Sequence, residues 1–205
     1  LVIGPLNRTM ITHIVGARPQ FIKLLPLYRA LAAKGVEQKV LHSGQHWEPA
    51  MSEVFFADIG LQADRILEWS TDMASNQSNM AEVLSQWRPQ TVVVYGDTYS
   101  TLCGARAASS LSLNLAHVEA GLRSFNSNMP EEACRVETDH LSDWHFAPSE
   151  TAMQHLRAEG LDRGEGQTIN TGDVMADGLM AMAEVKPDTR SILVTLHRNT
   201  NVDDK

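Results

Sequence analysis

Short apolar runs alternate with segments of helical spacing along almost the whole chain. We predict buried strands at Ile11–Val15, Lys39–His42, Thr91–Tyr95, Leu115–Val118, His145–Ala147 and Thr168–Thr171. We predict helices between and after them at Phe21–Lys34, Met51–Ile59, Asn76–Trp87, Thr101–Leu111, Glu131–Asp143 and Thr151–Glu159. Such alternation is typical of βαβ units. The chain should therefore fold as α/β, with a Rossmann-like parallel sheet and helices on both of its faces.

Polar residues follow most of the predicted strands directly. The segments that do so are "GARPQFIK", "SGQHW", "GDTYST", "EAGLR", "PSE" and "GDVMAD". Each begins with small or polar residues that suit a tight turn and the start of a helix. In open parallel sheets, ligands bind beyond the carboxyl ends of the strands. The sequence therefore predicts a ligand site at this edge of the sheet.

Bulk composition excludes several classes of protein. Among the 205 residues, 43% are hydrophobic and 20% are charged, as in an ordinary globular protein. The net charge of −8 argues against a nucleic-acid partner, which would require a basic surface. No apolar stretch approaches the roughly 20 residues that cross a bilayer, so we expect no membrane association. Cys103 and Cys134 lack metal-ligand spacing, so we expect free thiols and a cytoplasmic protein.

The chain divides into four predicted regions. Residues 1–9 are read as an N-terminal extension, native or introduced, and residues 10–184 as the Rossmann-like domain. Residues 185–190, which contain a Lys-Pro pair, are typical of a linker. Residues 191–205 read as the first strand and turn of a second domain. A strand without a following helix cannot form a domain, so we expect that second domain to be truncated.

Two cations surround the first predicted helix start. Arg18 and Lys23 lie on either side of Pro19 and Phe21, and Pro is favoured in the first turn of a helix. A helix N-terminus with a guanidinium and an ammonium suits a phosphate group. The alternative is a solvated arginine and a surface lysine. The glycine spacing of a dinucleotide fingerprint is absent.

Three carboxylates follow predicted strands or begin a predicted helix at the same edge. Asp97 follows Thr91–Tyr95, Glu119 follows Leu115–Val118, and Glu131 lies just after Pro130. Acids grouped in this way can serve as catalytic base and acid. Asp97 could instead be an ordinary helix cap. For Glu132 and Arg135 we prefer a structural salt bridge, since they lie one helical turn apart.

His197 and Arg198 follow the predicted strand near the end of the chain. If the second domain closes over the site, both side chains would face the carboxylates across a cleft. A lone histidine is more often a packing residue than a catalyst. The remaining histidines show no ligand spacing, so we predict no metal site: His13, His42, His117, His140, His145 and His155.

Six segments together resemble the non-hydrolysing UDP-N-acetylglucosamine 2-epimerase family. They are "GARPQFIK", "HSGQHWEPAM", "VYGDTYSTLCGARAA", "HVEAGLRSFNSNMPEEACRVETDHLSDWHFAPSET", "TGDVMADG" and "VTLHRNTNVDD". The resemblance runs from Met10 onward, in the order and spacing of the family. It implies that the chain is the N-terminal domain of a GT-B arrangement, in which two Rossmann-like domains enclose a sugar nucleotide.

The resemblance also implies a reaction and roles for residues. The family inverts C2 of a UDP-linked 2-acetamido sugar by eliminating UDP to a glycal and adding it back, without a cofactor. Asp97 and Glu131 would then transfer protons at C2 and Glu119 would stabilise the cationic centre. The residues assigned to UDP and its departure are Arg18, Lys23, Arg123, His197 and Arg198. Gln45 and His46 match a loop where some members bind a second UDP-sugar. The full-length protein would be a homodimer, as members commonly are.

Details of the sequence are similar to one branch of this family. "GARPQ", "GDVM", "LHRNTN" and the short "SFNSNMPEE" resemble enzymes that act on UDP-2,3-diacetamido-2,3-dideoxyglucuronate. Gln20 stands where the common family signature has Glu. The exchange removes a negative charge, which would suit a nearby substrate carboxylate. Either this sugar or UDP-N-acetylglucosamine is therefore expected as substrate.

Two further hypotheses compete with an epimerase. A retaining glycosyltransferase of the same GT-B architecture would need an acceptor and would leave the C2 proton in place. A fragment or degenerate relative would only bind a sugar nucleotide or a partner. The intact acids argue against degeneracy, while the truncation predicts that residues 1–205 are inactive alone.

Overall fold

The structure, a computed structural model, describes residues 9–45, 60–162 and 167–181. Its strands are β1 Met10–Val15, β2 Glu37–His42, β3 Arg65–Ile66, β4 Thr91–Tyr95, β5 Asn114–Val118, β6 Trp144–Ala147 and β7 Thr168–Asn170. Its helices are α1 Arg18–Ala33, α2 Met73–Trp87, α3 Tyr99–Ser110, α4 Pro130–Leu141, α5 Glu150–Ala158 and α6 Val174–Ala181. Strands and helices alternate as the sequence predicts, except that β3 follows β2 across residues 46–59, which are not described.

The described strands form one seven-stranded sheet in the order β3-β2-β1-β4-β5-β6-β7. Every neighbouring pair is parallel, with β4 against β5 in register from Thr91–Asn114 to Tyr95–Val118. The order reverses direction between β1 and β4, the place where ligands bind in sheets of this class. The predicted Rossmann-like parallel sheet is confirmed.

Alternate residues of the central strands face two separate apolar cores. On β4, Val92 and Val94 pack with residues of α2 and α3, including Met80 and Leu84. Val93 and Tyr95 point to the other face, where they pack with Phe21 and other residues of α1. Side chains alternate between the faces of a strand, so a sheet covered on both faces needs continuous apolar runs such as "TVVVY". The prediction of helices on both faces is therefore confirmed.

Two elements were not predicted from the sequence. Strand β3 has only two residues, both exposed, and is too short for any periodic signal. Helix α6 begins in the segment "GDVMAD", which was read as a turn and a helix start but for which no helix range was predicted, and packs against α1 close to Ile22. The predicted helix Met51–Ile59 and the predicted features after residue 184 lie outside the described residues.

The described ranges contain neither a membrane-spanning helix nor a cluster of metal-ligating side chains. No helix in these ranges is long and apolar enough to cross a membrane. Likewise, these ranges contain no group of three or more His, Cys, Asp or Glu side chains arranged to hold a metal ion. Cys103 and Cys134 are both free and buried.

His13 lies in the middle of β1 and is completely buried. One ring nitrogen, Nδ1, is 2.7 Å from the Tyr95 hydroxyl, and the other, Nε2, is 2.9 Å from the Gln38 side-chain oxygen. Because the amide oxygen can only accept, Nε2 carries the hydrogen and Nδ1 accepts from Tyr95. Burial lowers the pKa of His13 to about 4, and the hydrogen bond to Gln38 opposes that shift only in part. His13 is therefore neutral in the folded protein.

Stability should consequently fall as the pH drops from about 6.5 to about 4. In that window the unfolded chain protonates His13 while the folded protein does not, so acid favours unfolding. In His13→Gln we expect the slope of unfolding free energy against pH to decrease by up to about 1.4 kcal/mol per pH unit. Urea unfolding at a series of pH values measures this slope. An unchanged slope would contradict the assignment.

Candidate active site

Three turns meet where β1, β4 and β5 end. These strands are neighbours in the sheet, so the residues that follow them come together at its carboxyl edge. The turns contain Gly16 and Ala17 after β1, Gly96 and Asp97 after β4, and Glu119 after β5. The edge that the sequence predicts as a ligand site thus carries two of the three candidate acids on adjacent turns.

Gln20 joins the first two turns. Its side-chain oxygen accepts hydrogen bonds from the backbone N–H groups of Gly16 (2.6 Å) and Ala17 (2.9 Å). Its side-chain nitrogen lies 2.9–3.0 Å from the Tyr95 carbonyl and the hydroxyls of Thr98 and Thr101. The residue is 1% exposed and its amide is engaged within the protein. Gln20 therefore has a structural role in joining the two turns, and a substrate carboxylate near it stays a prediction.

Gln20→Leu should destabilise the protein. Leucine is similar in size but leaves the buried N–H groups of Gly16 and Ala17 without their acceptor. A buried group left unsatisfied costs about 1–3 kcal/mol, so we expect a loss of that order in the free energy of unfolding. Urea unfolding measures it. A loss below about 0.5 kcal/mol, the range of ordinary surface substitutions, would contradict this role.

Lys23 and Glu119 form a nearly buried ion pair. The Lys23 Nζ lies 2.6 Å from Glu119 Oε2, with side chains 7% and 19% exposed. Glu119 has a φ of 75°, an uncommon conformation for a residue with a side chain and one found preferentially at functional sites. A Cβ on Gly96 would lie 3.1 Å from the Lys23 ammonium, and the φ of 64° at this position also favours glycine. The sequence analysis assigned Lys23 to the pyrophosphate and Glu119 to the cationic centre. In the structure these two residues contact each other directly.

Asp97 pairs with Arg135 of α4. The guanidinium contacts Asp97 through Nη2 and lies 3.4 Å from Glu132 through Nη1. The predicted Glu132–Arg135 bridge is therefore present, but the same arginine also holds a candidate catalytic acid, which the sequence analysis missed. Its position one turn after Glu131 was the available signal. Asp97 is not the cap of α3, because Thr98 accepts the hydrogen bond from Thr101 N–H.

Glu132 closes the segment that leads into α4. Its carboxylate accepts hydrogen bonds from the Ser124 N–H and hydroxyl and from the Phe125 N–H, at 2.8–2.9 Å. Burial alone would raise the pKa of Glu132, but these bonds and Arg135 outweigh it, so the pKa lies below its usual value. Glu132 is therefore an ionised residue with a structural role.

Asp97 and Glu131 line one cavity of about 230 Å³. The cavity lies between the start of α3 and the start of α4, and its lining residues are Gln45, Asp97, Thr98, Tyr99, Pro130, Glu131 and Cys134. A larger cavity of about 630 Å³ lies at the opposite, amino-terminal edge of the sheet, beside Thr9 and Glu37. It contains none of the candidate residues. We therefore assign the site to the smaller cavity, which Asp97 and Glu131 line; Glu119 and Lys23 are not among its lining residues.

The cavity is also lined by Gln45, which is held by hydrogen bonds, and by Cys134, which is a neutral thiol. Gln45, a candidate for a second ligand site, accepts hydrogen bonds from the Ser100 N–H (2.9 Å) and hydroxyl (2.7 Å) and so lies at the start of α3. Cys134 has its pKa raised to about 11, by burial first and then by the neighbouring acids Asp97 and Glu131, among other groups. It is a neutral thiol and an unsuitable nucleophile.

Arg123 lies elsewhere than the sequence analysis assigned it. Its guanidinium binds Asp139 at 2.7 Å and both carboxylate oxygens of Glu159 at 2.7 Å, and its side chain is 2% exposed. It is absent from the lining of the cavity. With its charge paired twice inside the protein, Arg123 acts as a structural residue rather than as a UDP ligand.

Of the remaining candidate residues, one is described by the structure and three are not. Arg18 begins α1 and is exposed. His46, His197 and Arg198 lie outside the described residues.

Comparison with known proteins identifies relatives of the chain. The family model for UDP-N-acetylglucosamine 2-epimerase matches residues 29–205. The UDP-2,3-diacetamido-2,3-dideoxy-D-glucuronate 2-epimerase of Pseudomonas aeruginosa is 39% identical over 208 residues, covering 95% of this chain and 59% of that protein. The UDP-N-acetylglucosamine 2-epimerase of Methanocaldococcus jannaschii is 37% identical over 212 residues, covering 94% and 57% respectively.

Solved structures agree with these sequence matches. The M. jannaschii UDP-GlcNAc 2-epimerase in complex with UDP-GlcNAc and UDP matches with a TM-score of 0.82 and 37% identity, covering 95% of this chain and 58% of that chain. The Neisseria meningitidis UDP-GlcNAc 2-epimerase bound to UDP-GlcNAc matches with a TM-score of 0.76 and 31% identity, covering 85% and 50%. The chain thus spans less than two thirds of the length of these relatives.

Proposed function

The chain belongs to the UDP-N-acetylglucosamine 2-epimerase family, and on that premise we propose that the protein inverts C2 of a UDP-linked 2-acetamido sugar. The observation that carries the proposal is the meeting of Asp97 and Glu131 in one cavity, although they lie on separate elements of the chain. Inversion at a carbon requires a proton to leave one face and another to arrive at the opposite face. Two carboxylates around one ring meet that requirement.

The chemistry explains why several charged groups are needed. C2 has no adjacent carbonyl, so simple deprotonation is out of reach. In the proposed path a carboxylate takes the C2 proton, the C1–O bond breaks with its electrons going to UDP, and a C1–C2 double bond remains. Protonation of C2 from the other face and return of UDP to C1 complete the inversion. No electrons are gained or lost, and no cofactor is required.

The residues are assigned roles on this path. Asp97 and Glu131 exchange protons with C2, and Arg135 orients the Asp97 carboxylate through their contact. Glu119 stabilises the cationic centre at C1, and its Lys23 partner supplies positive charge near the departing UDP. Arg18 is assigned to the pyrophosphate, as are His197 and Arg198. Gln45 and His46 are assigned to a second UDP-sugar.

The proposed substrates are those of the relatives. UDP-N-acetylglucosamine and UDP-2,3-diacetamido-2,3-dideoxyglucuronate share the 2-acetamido group and the UDP leaving group on which the proposed steps depend. The chain is 39% identical to the P. aeruginosa enzyme and 37% identical to the M. jannaschii enzyme. These two values are too close to choose between the two sugars. The choice requires assays with both sugars.

We further propose a longer protein that completes the cleft. Residues 185–190 would be the linker and residues 191–205 the first strand and turn of a second Rossmann-like domain, giving a GT-B arrangement. The protein would be a cytoplasmic homodimer, in surroundings that keep Cys103 and Cys134 reduced.

The C2 proton provides the test of the function. The longer protein should incorporate solvent deuterium at C2 of the UDP-sugar in deuterated water, detected by NMR or mass spectrometry. A glycosyltransferase of the same architecture has no reason to exchange this proton, so it would leave C2 unlabelled. Absence of deuterium with both candidate sugars would refute the epimerase proposal.

Residues 1–205 by themselves should show no turnover. The rest of the second domain is proposed to complete the cleft, so the isolated chain would lack part of the binding energy that orients the UDP-sugar. The measurement is C2 deuterium exchange with the isolated chain at high substrate concentration. Epimerised product from it would contradict the two-domain account.

A further inference from the structure

His117 lies under the site, at the centre of a buried network that the proposed reaction does not use. It is on β5 and is completely buried. Its Nε2 is 2.7 Å from the Gly96 carbonyl oxygen and its Nδ1 is 2.6 Å from Asp139 Oδ1. The carbonyl oxygen can only accept, so Nε2 carries a hydrogen and donates it to Gly96.

Asp139 is itself held in place. Its second oxygen accepts from the Gly121 N–H at 3.0 Å and from Arg123 at 2.7 Å, and Arg123 is fixed in turn by Glu159. Asp139 is completely buried, and the charges of His117 and Arg123 hold its pKa below the usual value against the effect of burial. The carboxylate therefore gives the His117 ring a fixed orientation, as the carboxylates behind functional histidines commonly do.

Gly96 is the residue through which this network reaches the site. Its N–H donates to the Val118 carbonyl at 3.0 Å, while its own carbonyl accepts from His117. That carbonyl belongs to the planar peptide unit that ends at the α-carbon of Asp97. Gly96 also has a φ of 64°, a region that glycine enters without strain, so the turn has little intrinsic resistance to other conformations.

We propose that His117, held by Asp139, is a positioning residue for Asp97: by fixing the Gly96 carbonyl it sets the direction in which the Asp97 carboxylate enters the cavity. The kinetic consequence rests on the proposed function, whereas the conformational consequence does not. Without the Nε2 donor the peptide between Gly96 and Asp97 could rotate. Asp97 would then lose its alignment with Arg135 and the sugar.

Two amide substitutions distinguish donation to the Gly96 carbonyl from a role in which His117 only fills a buried position. Glutamine places its side-chain N–H₂ near the position of histidine Nε2, and asparagine places it near Nδ1. His117→Gln therefore retains the donor to Gly96, while His117→Asn retains only a partner for Asp139. Both leave a polar, uncharged side chain at the same buried position.

We expect His117→Asn to lower kcat for C2 exchange by about 10²-fold, the order of loss that a misplacement of about 1 Å produces. KM and the dissociation constant of UDP should stay within about twofold. His117→Gln should remain within a few-fold of the wild-type kcat. Equal losses in both variants, a wild-type kcat in His117→Asn, or a loss confined to KM would overturn the proposal.

The amide NMR signals of Gly96 and Asp97 in the same longer protein give a readout that needs no activity. They should move in His117→Asn and stay near the wild-type positions in His117→Gln; signals that do not move in His117→Asn overturn the proposal. If wild type shows no C2 exchange, the proposed function fails and these signals still decide the positioning role. Should His117→Asn not fold, His117→Thr replaces it, because threonine also lacks a donor at the Nε2 position; the expected losses and the refuting results are the same.

Glu137→Gln is the matched control. It is on α4, two residues from Asp139, and pairs with Arg106 at 2.6 Å with both side chains about 40% exposed. This variant removes a carboxylate from the same helix without touching the network. Both kcat and the NMR signals should match wild type, and a loss equal to that of His117→Asn would overturn the proposal.

Discussion

Asp97→Asn should lower the rate of deuterium exchange at C2 by about 10²–10⁴-fold, the usual contribution of a positioned acid or base. Asparagine has nearly the same shape as aspartate but cannot take or return a proton. It also removes the negative charge that pairs with Arg135, which then retains only its longer contact with Glu132. Glu131→Gln should cause a loss of the same order, since its carboxylate faces the same cavity.

The rate is measured on the longer protein in deuterated water, with UDP affinity determined by calorimetry. Affinity should remain close to wild type, because neither acid is assigned to UDP. Glu82→Gln, which changes an exposed carboxylate on α2, is the control and should not alter the rate. Exchange within threefold of wild type in Asp97→Asn would remove this residue from the mechanism.

Glu119→Gln should reduce the free energy of unfolding by about 3–5 kcal/mol, because it leaves the Lys23 ammonium nearly buried without its counter-charge. Glutamine has the same shape as glutamate. The substitution should therefore leave the packing and the positive φ at this position unchanged and remove only the charge. Exposed ion pairs contribute only about 0–1 kcal/mol. The loss of unfolding free energy should therefore be larger for this pair than for an exposed pair because the pair is buried, not because the contact is short.

Urea unfolding of residues 1–205 measures this loss. The control is Glu150→Gln, which breaks the Arg157–Glu150 pair of similar length (2.7 Å) with side chains 48% and 59% exposed. It should cost no more than about 1 kcal/mol. Adding Lys23→Met to Glu119→Gln should recover stability, since the unpaired charge is then gone. Equal losses in Glu119→Gln and the control would contradict the account.

The fold was predictable because its signals are local. Continuous apolar runs such as Thr91–Tyr95 are required by a sheet covered on both faces, and they are visible in any window of the sequence. Strand β3 was missed because a two-residue exposed strand depends on pairing with β2 alone. No range was predicted for helix α6, although the segment in which it begins was read as a turn and a helix start.

The site was predictable only as far as strand order allows. That Asp97 follows one central strand and Glu119 the next could be read from the chain, and both lie at the predicted edge. Which charges pair could not be read, because the choice depends on side-chain reach in three dimensions. Lys23 therefore turned out to be the partner of Glu119, Arg135 that of Asp97, and Arg123 part of an internal network.

His117 is a second case in which a contact between distant residues could not be predicted from the sequence. In the sequence it is one more residue of a buried strand, with no spacing that marks a function. Only the coordinates reveal that its Nε2 reaches the Gly96 carbonyl, one peptide away from Asp97. Long-range hydrogen bonds between a strand and the neighbouring turn have no periodic trace in a sequence.

A crystal structure of the longer protein with its UDP-sugar bound tests the central claim most directly. We predict that the sugar ring occupies the cavity between Asp97 and Glu131, with a carboxylate oxygen of each about 3–3.5 Å from C2 and on opposite faces of the ring. Glu119 should lie beside C1. A sugar bound away from these carboxylates, or both acids on the same face of C2, would contradict the account.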